Sequence, residues 1–153
     1  MKPAFACGLL LLVFVLLPFR AQAALGANSA SVQDDLAHMK GSLQVREVNG
    51  YGVHEIQVAS GTRVREYVSS AGTVFGVAWQ GPFIPDLRQL LGAYFDQYAA
   101  SVKAQKATYV GRHPLNIQGA GLVIQTTGHM RGYDGRVYVP ALLPAGAKLE
   151  ELW

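Results

Sequence analysis

Apolar positions along this chain follow three successive rhythms. Ala4 to Phe19 is an almost unbroken apolar run. Past residue 30, Val32, Leu36 and Met39 fall on one helical face, with Ser31 placed as an N-cap and Asp34 completing a capping-box-like pair before Gly41 stops the run. The period then drops to two, as in strands. His54, Ile56 and Val58 alternate with Val53, Glu55 and Gln57 after the turn Asn49-Gly50-Tyr51-Gly52, and Arg63, Arg65 and Tyr67 alternate with Val64, Glu66 and Val68 after Ser60-Gly61. A third strand runs from Thr73 to Trp79, with Phe75, Val77 and Trp79 on one face and the small Val74, Gly76 and Ala78 on the other. Short turns make these an antiparallel meander.

Gly81-Pro82 ends the meander, and the period returns to that of a helix. Leu87, Leu91, Tyr94, Tyr98 and Val102 recur every three or four residues from Pro85 to Val102, with Pro85 in the first turn and Asp86 at the positive end of the helix dipole. Arg112-His113-Pro114 reads as loop. A second β unit follows, Leu122 to Met130 and Arg136 to Val139, joined through the turn-forming Asp134-Gly135 and closed by Pro140. Ala24 to Ala30 reads as a flexible lead-in, and Pro144 to Trp153 as a tail with a few apolar tethers. The fold class is α+β: an antiparallel sheet of a three-stranded meander and a C-terminal hairpin, in one sheet or two, with one main amphipathic helix on its apolar face.

The opening run changes what the rest must be. Lys2, the apolar stretch, Pro18 and the small-residue site Ala21-Gln22-Ala23 have the layout of a secretory signal peptide cut between Ala23 and Ala24. A retained anchor fits less well, because 16 helical residues rise only about 24 Å against a hydrocarbon core of roughly 30 Å. Residues 1–23 are therefore expected to be removed, leaving 24–153 as a single small domain, exported to the periplasm or secreted. Two of the chain's 13 basic residues, Lys2 and Arg20, leave with the leader, so 11 remain against 10 acidic ones. With no basic stripe, nucleic-acid binding is not expected. Cys7, the one cysteine, also leaves. Disulfides, cysteine nucleophiles and thiolate metal sites are then excluded together.

The remaining chain lacks the common catalytic spacings. It has no Gly-x-Ser-x-Gly elbow, no Ser-x-x-Lys pair and no phosphate loop. Gly119-Ala120-Gly121 leads to Ile124 where a dinucleotide loop needs glycine, and His54-Glu55 leads to Val58 where a zinc-protease helix needs histidine. No cofactor or metal is called for. His54 and His129, with Glu66, are the side chains that a sheet could gather into an acid–base or metal site. Trp79, Tyr133, Tyr138 and Trp153 are candidates for an aromatic contact surface, although core packing is the better reading for Trp79. Arg131 and Arg136 beside His129 would attract an anion, or simply keep a hairpin edge soluble.

Ala24-Leu25-Gly26, Tyr51-Gly52-Val53-His54-Glu55, Val77-Ala78-Trp79-Gln80-Gly81-Pro82, the stretch from Pro85 to Gly92, and Gly128-His129-Met130-Arg131 with Val139-Pro140 resemble exported Gram-negative proteins grouped as domain of unknown function 2844. The resemblance spans Ala24 to Pro144. It implies an export signal and one small domain, and carries no activity, ligand or catalytic residue. The expected role is a non-catalytic binding or accessory protein of the envelope or exterior, with another envelope protein or a surface polymer as partner. One alternative is a small hydrolase or metal-dependent enzyme using His54, Glu66 and His129. Another is an inhibitor or chaperone-like binder that adds a partner strand to an open sheet edge.

Overall fold

The computed structural model describes residues 24–108, 114–119, 121–148, 150 and 152. The expected leader with its expected cut site after Ala23, and Arg112, His113 and Trp153, lie outside them. Seven strands form one antiparallel sheet: β1 (Ser42–Val48), β2 (Tyr51–Gln57), β3 (Arg63–Ser69), β4 (Val74–Gly81), β5 (Leu115–Gln118), β6 (Val123–His129) and β7 (Gly132–Tyr138). The spatial order is β1-β2-β3-β4-β7-β6-β5, so β7 returns to pair with β4 and fuses the two β units. The sheet is thus larger than a three-stranded meander and a hairpin. β1 and β5 are its two edges, whose side chains are too exposed or too few to mark a strand by apolar alternation.

One face of the sheet is covered by helices. Ile56, Val64, Val77, Trp79, Ile124 and Val137 form its core, against Val32 of α1 (Ser31–Met39) and Leu90 and Leu91 of α2 (Leu87–Leu91). Burying each such aliphatic side chain contributes about 1.5–3 kcal/mol. The single helix expected from Pro85 to Val102 is broken. Gly92 takes φ 47°, ψ −116°, a 3-10 turn covers Gly92–Tyr94, and α3 (Phe95–Thr108) continues beyond Val102 through a run of Lys, Ala and Gln, all good helix formers. Among the described residues no helix is long and apolar enough to cross a membrane.

Several local expectations are corrected by tertiary contacts. Ser31 is not the cap: Ala30 is, and the Ser31 hydroxyl donates back to the Asn28 carbonyl at 2.8 Å. Pro85 precedes the helix, whose cap is Asp86. The register slips between Tyr67 and Val68, leaving Phe75 as an extra residue in β4, so Phe75 leaves the Val77–Trp79 face and packs with Tyr51 and Tyr67 on the other side. The β6–β7 turn is at Met130 and Arg131 rather than Asp134-Gly135, because His129 pairs with Gly132. Ala24 and Leu25 are not a loose lead-in. Both are buried, the Leu25 N–H donates to the Leu90 carbonyl, and the Gly26 N–H donates to that of Val74. The tail reaches back as well, placing Leu152 in the aromatic cluster.

Candidate functional site

The sheet does not gather the three candidate acid–base residues. His54 pairs in register with Glu66, but His129 is four strands away in the order β2-β3-β4-β7-β6, about 19 Å at roughly 4.8 Å per strand. The alternation along β6 also puts His129 on the face opposite Ile124 and His54. His129 and Arg131 are exposed at the turn, Tyr133 is half-buried, and Arg136 lies inside β7, its Nε donating to Gln125 Oε1 at 2.5 Å. They form no single patch. Trp79 is buried in the core.

Glu66 meets a different partner. It is fully buried against the Asp35 carboxyl, and burial, then the nearby charge of Asp35 and the hydrogen bond shared with it, push its pKa up to about 9. Asp35, on the inner face of α1, is fully buried too. Its Oδ1 accepts from Gln89 Nε2 at 2.8 Å, and burial, only partly offset by that bond, lifts its pKa to about 6. His54 is half-buried, its Nδ1 unpartnered and its pKa lowered by burial, with Glu47 opposing. The acidic pair is sealed between α1, β3 and α2, beyond the reach of a solute. Among the described residues no group of three or more His, Cys, Asp or Glu side chains is placed to hold a metal ion.

An open recess lies where the end of α1, the β2–β3 turn and the segment before α2 converge. It has a volume of about 220 Å³ and is lined by His38, Met39, Val58, Thr62, Pro85 and Asp86, with Ser60, Phe83 and Ile84 at its lip. Thr62 builds that lip: its buried Oγ1 donates to the Phe83 carbonyl at 2.9 Å and accepts from the Phe83 N–H at 3.3 Å. Gly81 makes this possible, since a Cβ there would stand 2.5 Å from Thr62 Cα. With its backbone clamped, the Phe83 side chain projects outward, 60% exposed, beside Ile84 at 53%. Asp86 caps α2 by accepting from the Arg88 and Gln89 N–H groups at 3.0 and 3.1 Å, and its other oxygen is 3.5 Å from His38 Nε2.

The recess can take an apolar side chain against Met39, Val58 and Pro85, with the His38–Asp86 pair offering polar contacts at one side. Ser60, His38 and Asp86 line it together, yet no hydrogen bond joins Ser60 to His38. The sequence carried one signal for this site, the apolar pair Phe83-Ile84 between Pro82 and Pro85, where a loop residue is normally polar. His38 had none, and although Asp35 stands on the apolar face of Val32, Leu36 and Met39, nothing near it in the sequence names Glu66 as its partner.

A family model described as protein of unknown function (DUF2844) matches residues 21–152, and the chain belongs to that family. No curated protein and no solved structure matches it.

Proposed function

We propose that this member of the family is an exported, non-catalytic binding protein of the envelope or exterior, and that it receives an apolar side chain of a partner protein in the recess beside Phe83 and Ile84. Export rests on the leader in residues 1–23. The observation that carries the binding role is the exposed pair Phe83 and Ile84, held at the mouth of the recess by the Thr62 clamp. A large aromatic and an aliphatic group beside a pocket form the kind of anchor point on which protein interfaces concentrate their energy. The mostly apolar lining favours a protein over a surface polymer, whose hydroxyls need a denser set of hydrogen-bonding groups. The four-strand separation of His54 and His129 weighs against an enzyme built on them and Glu66.

The test is a photoreactive residue at Phe83 in cells making the protein. An adduct with one envelope protein, suppressed by Ile84→Asp and missing when the probe sits at exposed Gln80, is the expected result. No adduct, or the same adduct from both positions, overturns the reading.

A further inference from the structure

We propose that β1 is a self-complementary edge through which two copies of this chain join their sheets, antiparallel, about a two-fold axis at Val45. The sheet has two edges, and they differ. β5 spans only Leu115–Gln118 and has α3 packed beside it. β1 is seven residues long, pairs with β2 at every position from Ser42 to Val48 without a bulge, and among the described residues has no neighbouring strand on its other side. A regular strand of that length presents a row of backbone donors and acceptors to a further strand. β1 contains no proline, glycine or lysine to blunt it.

The side chains of β1 choose the occupant. In an antiparallel pair, directly opposite residues share a face. With Val45 on the axis, Val45 meets its own copy, Gln44 meets Arg46, Leu43 meets Glu47 and Ser42 meets Val48, so all seven positions pair. The Gln44 carboxamide oxygen can accept from the Arg46 guanidinium twice, once on each side of the axis. Val45, 55% exposed in the single chain, is covered by an identical side chain. Shifting the axis to Arg46 or Glu47 opposes like charges, and shifting it to Gln44 leaves the end of β1 unpaired. Charge and full-length pairing together select one register, and the isologous contact closes as a dimer rather than growing into a fibre. An axis normal to the sheet keeps the helix-covered faces on one side, so both recesses open in the same direction.

Sedimentation equilibrium of the purified protein over a concentration series tests the association. The expected result is a reversible monomer–dimer equilibrium, weakened at least tenfold by Val45→Lys with an unchanged far-ultraviolet spectrum. Cysteine cross-linking in a Cys7→Ser background tests the register independently: Val45→Cys should oxidise to a covalent dimer, and Arg46→Cys, offset from its copy, should not. If Val45→Lys disturbs folding, the cysteine comparison decides alone. A monomer at every concentration, a dimer indifferent to Val45→Lys in its folded form, or equal cross-linking from both cysteines overturns the proposal.

Discussion

The indole of Trp79 lies over Gly135, its cross-strand partner in the β4–β7 pair, so closely that a Cβ on Gly135 would stand 2.2 Å from Cζ2. This glycine serves as a seat for a ring. Gly135→Ala should therefore force the indole out of its place in the core and destabilise the protein by about 1–3 kcal/mol. Urea unfolding, with tryptophan emission shifting to longer wavelength in the native baseline, checks it. A double-mutant cycle with Trp79→Leu should show coupling, since the glycine is required only while the ring is there.

The same pair explains what the sequence revealed and what it hid. Asp134-Gly135 has the composition of a tight hairpin turn, and nothing within a few residues distinguishes a turn glycine from one cleared for a ring 56 positions earlier in the chain. Interior strands were legible because apolar residues such as Val64 and Val68 in β3, or Val77 and Trp79 in β4, recur at even spacings and are buried. β1 was not, because Val45 on that edge is exposed and its neighbours are polar. The Phe75 bulge, the Gly92 break and the meeting of Asp35 with Glu66 all depend on contacts between distant segments. Of the recess, the sequence showed the misplaced apolar pair Phe83-Ile84 but not the clamp or the His38–Asp86 pair.

Stability should fall as pH rises from about 4 to about 9. Glu66 has its pKa raised from 4.5 to about 9, and Asp35 from 3.8 to about 6, so across those windows the folded state holds protons that the unfolded state has released. The contribution is complete below the unfolded values and is lost as pH approaches the folded ones. The slope is at most about 1.4 kcal/mol per pH unit for each proton. Glu66→Gln keeps the shape, removes the ionisation, and should flatten the limb between pH 6 and 9. Urea midpoints measured across that range for both proteins decide it; a slope unchanged in the variant would mean that other groups cause it.

Asp86 has two separable jobs. Asp86→Ala removes the cap of α2 and should destabilise by about 0.5–2 kcal/mol. Asp86→Asn keeps an oxygen to accept from the Arg88 and Gln89 N–H groups and loses only the charge facing His38. Because His38 and Asp86 are each half-exposed, that loss should stay below about 1 kcal/mol. Thermal melts of the two variants should therefore separate, with Asp86→Asn near the parent; equal losses would assign the stabilisation to the His38 contact instead.

On the sheet face opposite α1 and α2, Tyr51, Tyr67 and Phe75 pack edge-on or tilted with ring centroids 5.5–6.2 Å apart, and Leu152 closes the cluster at 1% exposure. Leu152 covers the apolar surface of three rings that would otherwise meet water. Leu152→Ala should accordingly lower stability by about 2–4 kcal/mol, in the range of a core truncation rather than a surface change. Leu152→Met, similar in volume and able to follow the same cavity, should lose less than about 1.5 kcal/mol. Denaturant unfolding of the two variants, read by circular dichroism, distinguishes a packed side chain from a loose one: equal and negligible effects would show that the rings are covered without it.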